Sequence, residues 1–381
     1  MTRRSTRNFN RIIRSSNRRR GGGPVDTDSL IFEISMDSSP ETFTFPAVGS
    51  ATYDVDWGDG NIETGQTGNT AHEYEDSGTY EIKISNPSGT PASFQPFKFD
   101  NGGNKTKIDD ITQWGTIEWT SMHGAFYGCT NLNITATDSP DTSGVTDFDD
   151  AFRACTSLTK MPLSQTAAAT TMRYLFYETV IADFSDFASC DCGNVVDLYY
   201  TFAQCPMVTF PSVDFPECTE VSATWYLCRT LTNFDSPASF NTEKGETWNS
   251  TFAYCNDLTA VPNISFKEAL SFEYCFYDLD LGTGSTDFPH QNTATYNIRK
   301  ITNAGGHKGG IGMFNATTVP TASYDLLLID WSANAVNNNV TIHAGGSQYT
   351  GGGTAATARA DLVASTGSGG HGWTITDGGT A

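Results

Sequence analysis

Phe202-Ala203-Gln204-Cys205 decides how the chain is read, because its aromatic-x-x-Cys pattern returns at a fixed interval. The pattern recurs at Phe126/Cys129, Phe152/Cys155, Trp225/Cys228 and Phe252/Cys255. Phe176 and Phe276 keep the register, with Thr179 and Leu279 in the cysteine's place. The seven aromatics stand 26, 24, 26, 23, 27 and 24 residues apart. A period of this size marks a stack of similar units, none of which can bury its apolar face alone.

Each unit has further fixed positions. Four residues before the aromatic is an apolar residue: Met122, Phe148, Met172, Leu198, Val221, Trp248 or Phe272. Three residues after most cysteines is another, at Leu132, Leu158, Val208, Leu231 and Leu258, often followed by proline (Pro162, Pro211, Pro237, Pro262). The −4, 0, +3 spacing predicts one face of a short helical turn. The segment after it, as in Leu158-Thr159-Lys160-Met161-Pro162, predicts a short strand.

The cysteines read as small buried hydrophobes of the shared core. Strands of adjacent coils lie about 4.8 Å apart, so equivalent cysteines approach disulfide range. Nine cysteines is an odd number, however, and Thr179 and Leu279 hold equivalent positions, which favours reduced packing residues. Cys190-Asp191-Cys192 lacks a second Cys/His pair at zinc spacing.

The run from Met122 through Phe126 and Cys129 to Leu132 resembles the BspA-type leucine-rich repeat, especially its short phage and mycoplasma variant. The resemblance covers about residues 105–290. It implies a right-handed solenoid of about seven coils that presents an adhesive surface, and it implies no catalytic residues. The Phe176 and Phe276 units depart from the pattern by lacking Cys.

Around this stretch the chain divides into a basic arm and glycine-rich linker (1–27), a β-module (28–100), the repeats (101–290) and a loop with a closing unit (291–381). The arm carries Arg3, Arg4, Arg7, Arg11, Arg14, Arg18, Arg19 and Arg20 and no acid, so removing it takes the formal charge from −21 to −29. Its longest apolar run is Ile12-Ile13, too short for a secretion signal. No stretch reaches the roughly 18 apolar residues of a membrane span. Docking on an acidic protein surface suits the arm best, with Gly21-Gly22-Gly23-Pro24 as a joint. A solvated tail and phosphate neutralisation are the alternatives. Nucleic acid is the poorest partner, since the acidic body repels a polyanion.

Residues 28–95 read as all-β. Leu30–Ile34 and Thr42–Phe45 are strand-like, and Tyr53–Asp56 runs into a Gly-Asp-Gly turn that tolerates positive φ. Trp57-Gly58-Asp59-Gly60, then His72-x-Tyr74, then Gly78-x-Tyr80 resembles the PKD-type immunoglobulin-like sandwich, which implies a spacer or adhesive module. Asp54, Asp56 and Asp59 miss the EF-hand spacing and read as turn and solvated-face residues. Trp114 and Trp119 can close the first coil so that its apolar face stays dry. After Pro289 the period stops. Residues 290–312 read as loop. A helix around Tyr324–Trp331, a strand at Val340–His343, a helix at 355–363 and a strand at Gly372–Thr376 then form a cap, resembling the terminal segment of phage-encoded surface proteins.

The expected fold is mainly β with short helices. Six scattered histidines and unassignable carboxylate pairs offer no catalytic constellation, so no enzyme, cofactor or metal site is expected. Tyr127, Tyr177, Tyr226 and Tyr277 all stand one residue after an anchor and should line one edge, with Tyr199 and Tyr254 nearby. They either contact a ligand or finish the core. The leading expectation is a phage virion protein held by its arm to other virion proteins and meeting a host glycan or protein, as a monomer or homo-oligomer. A secreted or cell-surface bacterial adhesin is the alternative, and a polysaccharide-degrading enzyme the third reading. Asp141 reads as a surface acid, whose change to alanine should stay within about 0.5 kcal/mol.

Overall fold

The computed structural model describes residues 26–87, 93–94 (backbone), 97–235, 242, 244–258, 266–279, 300–304, 307–335 and 337–381. The arginine arm, its glycine joint, Pro237, Pro262 and residues 280–299 lie outside them. The described fold is mainly β, with two α-helices. Its strands are β1 (Leu30–Met36), β2 (Glu41–Phe45), β3 (Thr52–Asp56), β4 (Ile62–Thr67), β5 (Thr70–Tyr74), β6 (Gly78–Ser85), β7 (Ser93–Phe94) and β8 (Ile108–Gln113). Short pieces follow: β9 (Glu118–Trp119), β10 (Asn133–Ile134), β11 (Thr209–Phe210), β12 (Asn233–Phe234), β13 (Thr341–His343) and β14 (Thr374–Thr376). The helices are α1 (Thr321–Asn334) and α2 (Thr354–Val363).

In the N-terminal region six strands form one sheet in the order β10-β8-β1-β6-β3-β4, and β2 pairs with β5. Period-2 burial is clear in β3 and in the second half of β1. Phe32 of β1 meets Phe43 and Phe45 of β2 at ring distances of 6.4 and 6.1 Å. The Trp57–Gly60 turn works through its neighbours. Trp57 stacks on His72 at 5.0 Å, and the Tyr74 hydroxyl donates to the Trp57 carbonyl. Gly58 has φ +77°, and a Cβ there would stand 2.4 Å from the Glu81 carbonyl oxygen, so only glycine fits.

The sheet runs directly into the repeats. β10 belongs to the first repeat unit and pairs in parallel with β8, Ile134 opposite Ile111. Phe97 touches Phe45 on one side and Phe126 on the other, at 5.2 Å each. Trp114 and Trp119 close over Phe126 as expected.

From Phe126 onward the anchor rings stack in one column. The steps to Phe152, Phe176, Phe202, Trp225, Phe252 and Phe276 are 5.2, 5.9, 6.1, 6.3, 5.4 and 5.7 Å, and no pair is tilted by more than 21°. All seven rings, with Cys129, Cys155, Cys205, Cys228 and Cys255, are at most 1% exposed. The nine cysteines are free and buried, as expected.

Two expectations need correction. A strand in every coil is not what forms. Leu158–Pro162 has no strand, and the described units carry only two-residue pieces at β10, β11 and β12. The units are joined instead by single parallel bridges, Asp147 to Thr171 to Asp197 to Glu220 to Thr247 to Ser271 to Gly309. The ring-bearing segment is likewise a pair of turns and not a helical turn. In the first unit the N–H groups of Met122, Gly124, Phe126 and Gly128 donate to the next unit, while those of Ala125, Tyr127 and Cys129 close turns within their own. Alternate donors pointing outward and inward satisfy the backbone without helix or sheet.

The period stops after Pro289 as expected, but the ring stack continues past it. Phe314 stacks on Phe276 at 5.2 Å and 11°, within another double turn. The step in sequence is 38 residues and Thr317 replaces the cysteine, so the unit escapes a search for period and sulfur. Beyond it the expected helices and strands form. β13 pairs in parallel with β14. Asp377, 3% exposed, accepts from Arg359 at 2.7 Å and from the Tyr324 hydroxyl at 2.8 Å.

Candidate binding surface

The double turn determines which side chains face outward together. Taking each ring as position 0, residues −2 and +2 have positive φ in every unit, among them Asp150/Ala154, Tyr174/Glu178, Tyr200/Gln204 and Ala223/Leu227. The turn from −2 to +1 brings those two side chains to the same face. Position +1 reads Tyr127, Arg153, Tyr177, Ala203, Tyr226, Ala253, Tyr277 through the stack.

The four tyrosines expected at this edge are there, all half-buried. They stand two units apart and are joined through Tyr254, expected nearby, and through Arg153 and Tyr200, which sequence reasoning passed over. The Arg153 guanidinium lies 4.8 Å from the Tyr127 ring, 4.4 Å from Tyr174 and 5.3 Å from Tyr177. Tyr200 fills the gap left by Ala203, touching Tyr177 at 5.8 Å and Tyr226 at 5.6 Å. Tyr254 fills the gap left by Ala253, 5.7 Å from Tyr226 and 5.1 Å from Tyr277. Tyr174, Tyr199 and Tyr274 widen the strip. The result is one aromatic ribbon from Tyr127 to Tyr277. Its sequence signal was tyrosine at −2 in three units (Tyr174, Tyr200, Tyr274), and arginine in line with the +1 tyrosines.

Burial sets the ribbon's chemistry. It pushes the Tyr174 hydroxyl up to about 12 and raises those of Tyr177 and Tyr200. These phenols are therefore neutral near pH 7, able to donate and accept. The Gln204 amide donates to the Tyr177 hydroxyl at 2.6 Å. At the far end the ribbon opens into a cleft of about 340 Å³ lined by Tyr226, Ser250, Ala253, Tyr254, Tyr274, Tyr277 and Asn315. Rings with hydroxyl, amide and serine groups at their rim suit a ligand that is apolar on one face and polar at its edges.

The other candidate positions have structural partners. The Asp54 carboxylate accepts from the Gly65 N–H, Asp56 from Gly58, and Asp59 from Asn61 and His72. Asp141, expected as a plain surface acid, caps its turn by accepting from the Ser143 N–H and hydroxyl. The described residues contain one group of metal-ligating type, His123 with Asp147 and Asp149. Among them no helix is long and apolar enough to cross a membrane.

A family described as "Mycoplasma protein of unknown function, DUF285" matches residues 97–215, from the Phe97 junction through the first repeat units. No curated protein and no solved structure matches the chain. The similarity thus falls on the repeat column, where the sequence resembles the mycoplasma variant of the repeat.

Proposed function

We propose that the chain is a non-enzymatic surface protein that holds an extended ligand along its tyrosine ribbon. In this reading the column is a leucine-rich-repeat-like solenoid, fronted by a PKD-like sandwich and closed by the C-terminal unit. The continuity of the ribbon across successive units carries the proposal. Half-buried tyrosines offer contact area at low entropic cost, because packing already fixes their rotamers. A glycan fits best. Sugar rings present C–H faces to aromatic rings, and their hydroxyls can pair with phenols, Ser250 and Asn315. The 340 Å³ cleft lies at the small end of the roughly 300–1,000 Å³ range of small-molecule sites, which suits one sugar unit of a chain.

The arginine arm gives the setting. A segment with eight arginines on a body of charge −29 has the composition of an anchor that docks elsewhere. A bacteriophage particle, with the arm on a virion protein and the column outward, accounts for both parts. A glycan array probed with the full chain tests the ribbon. The paired change Tyr226→Ala with Tyr277→Ala should abolish the signal, and a glycan held equally by that variant refutes the assignment. Deleting residues 1–20 should release the protein from particles, and retention argues for the bacterial adhesin instead.

A further inference from the structure

We propose that His123, Asp147 and Asp149 hold a divalent transition-metal ion between the first two repeat units. One ligand atom from each lies within 4.8 Å of the others. The backbone ladder forces the meeting. Met122 N–H donates to the Asp147 carbonyl and Gly124 N–H to the Asp149 carbonyl, so His123 sits between two rungs facing the two aspartates one unit on.

The histidine has an unused atom there. Its Nδ1 is buried and makes no hydrogen bond, although Asp147 Oδ2 is only 3.3 Å away. A buried polar atom left unpaired is destabilising, whereas a lone pair aimed at a cation gains. The carboxylates are each anchored through one oxygen. Asp147 Oδ1 accepts the Asp149 N–H at 2.9 Å, and Asp149 Oδ1 accepts the Arg173 N–H at 2.8 Å and the Thr171 hydroxyl. Outer partners of this kind orient metal-ligating carboxylates. The Arg173 guanidinium points instead to Asp197, at 3.7 Å.

The donor set decides the metal. One imidazole with two carboxylates suits Zn²⁺, Co²⁺ or Mn²⁺, whereas Ca²⁺ and Mg²⁺ prefer oxygen-only cages. All three side chains are part-exposed, so water can complete the shell. The equivalent positions of the next unit are Thr171 and Arg173, which cannot repeat the site. An ion here ties unit one to unit two at the end of the column nearest the N-terminal sheet.

The test is calorimetric titration of the full chain with Zn²⁺, alongside His123→Ala and Asp149→Asn. One equivalent should bind, and each variant should weaken it at least tenfold. Zn²⁺ should raise the melting temperature of the parent and not of the variants, which separates lost binding from lost folding. Co²⁺ should give a d–d absorption without thiolate charge transfer, because the cysteines are buried elsewhere. Failure of the parent to bind, or binding that survives both changes, overturns the assignment.

Discussion

The Cys155 thiol lies 3.1 Å from the Phe126 carbonyl oxygen, one unit back, and donates to it. The same bond joins Cys205 to Phe176, Cys228 to Phe202 and Cys255 to Trp225, at 3.0–3.1 Å. In the last ring unit the Thr317 hydroxyl makes it to the Phe276 carbonyl at 2.6 Å. The recurring cysteine is therefore more than a small hydrophobe. It is a donor that stitches the carbonyls of Phe126, Phe176, Phe202 and Trp225 to the next unit, and Thr317 does the same for Phe276, whereas the Thr179 hydroxyl meets the Cys205 thiol.

Cys155→Thr should accordingly change stability by less than about 1 kcal/mol. Cys155→Val keeps the volume but removes the donor. The Phe126 carbonyl still accepts from the Cys129 N–H, so the loss should be modest, about 0.5–1.5 kcal/mol. Denaturant midpoints at constant slope measure both. A valine variant as stable as the threonine one would show that the thiol bond contributes nothing.

Burial also fixes how the protein answers to alkali. It pushes the Cys205 and Cys255 thiols up to about 12 and Cys190 up to about 11, from 9.0. A thiol with a raised folded pKa binds its proton in the native state where the unfolded chain has lost it. Stability is thus fully present below pH 9 and falls as pH rises toward 11–12. Each such thiol contributes a loss of about 1.4 kcal/mol per pH unit in that window. Melting temperature should be steady from pH 7 to 8.5 and drop steeply above 9. Thiol reagents at pH 8 should leave the native cysteines nearly untouched, with Cys190 the first to react.

The sequence shows the stack because ring and cysteine recur at nearly equal spacing, and hydrophobic burial rewards each recurrence in the same place. Trp114 and Trp119 were legible as a cap for the same reason, and the two C-terminal helices from their apolar and alanine-rich runs. The double turn was not legible. Its left-handed positions carry glycine at Gly124, Gly128 and Gly312 but tyrosine, alanine, glutamine, leucine, aspartate, glutamate or serine elsewhere. Bonds between units impose that conformation, and local propensity is silent about them. Arg153 was missed because a cation in a tyrosine row breaks the residue pattern while keeping the row's contacts.

Phe202 tests the column directly. Its ring touches Phe176, Phe210, Phe184, Phe187 and Trp225, so Phe202→Ala should destabilise by about 3–5 kcal/mol. Asp141→Ala removes two accepted hydrogen bonds and should cost about 0.5–1.5 kcal/mol. Exposed Asp214→Ala should stay within about 0.5 kcal/mol. Equal losses for Phe202 and Asp214 would mean that the ring column does not hold the units together.

Ala154 sets two magnitudes against each other. Its φ is +57°, a conformation that costs an L-residue about 1–2 kcal/mol because Cβ crowds the following carbonyl. Glycine relieves that strain but adds about 0.4–1 kcal/mol of unfolded-state entropy. The Ala154 N–H donates to the Tyr177 carbonyl at 2.7 Å, and glycine keeps that bond. Strain relief is the larger quantity, so Ala154→Gly should stabilise by about 0.5–1 kcal/mol. Ala154→Val adds a β-branch where φ is positive and should destabilise by more than glycine gains. Thermal melts of the two variants beside the parent decide the matter: a glycine variant less stable than the parent would show that the left-handed turn is not a strained position.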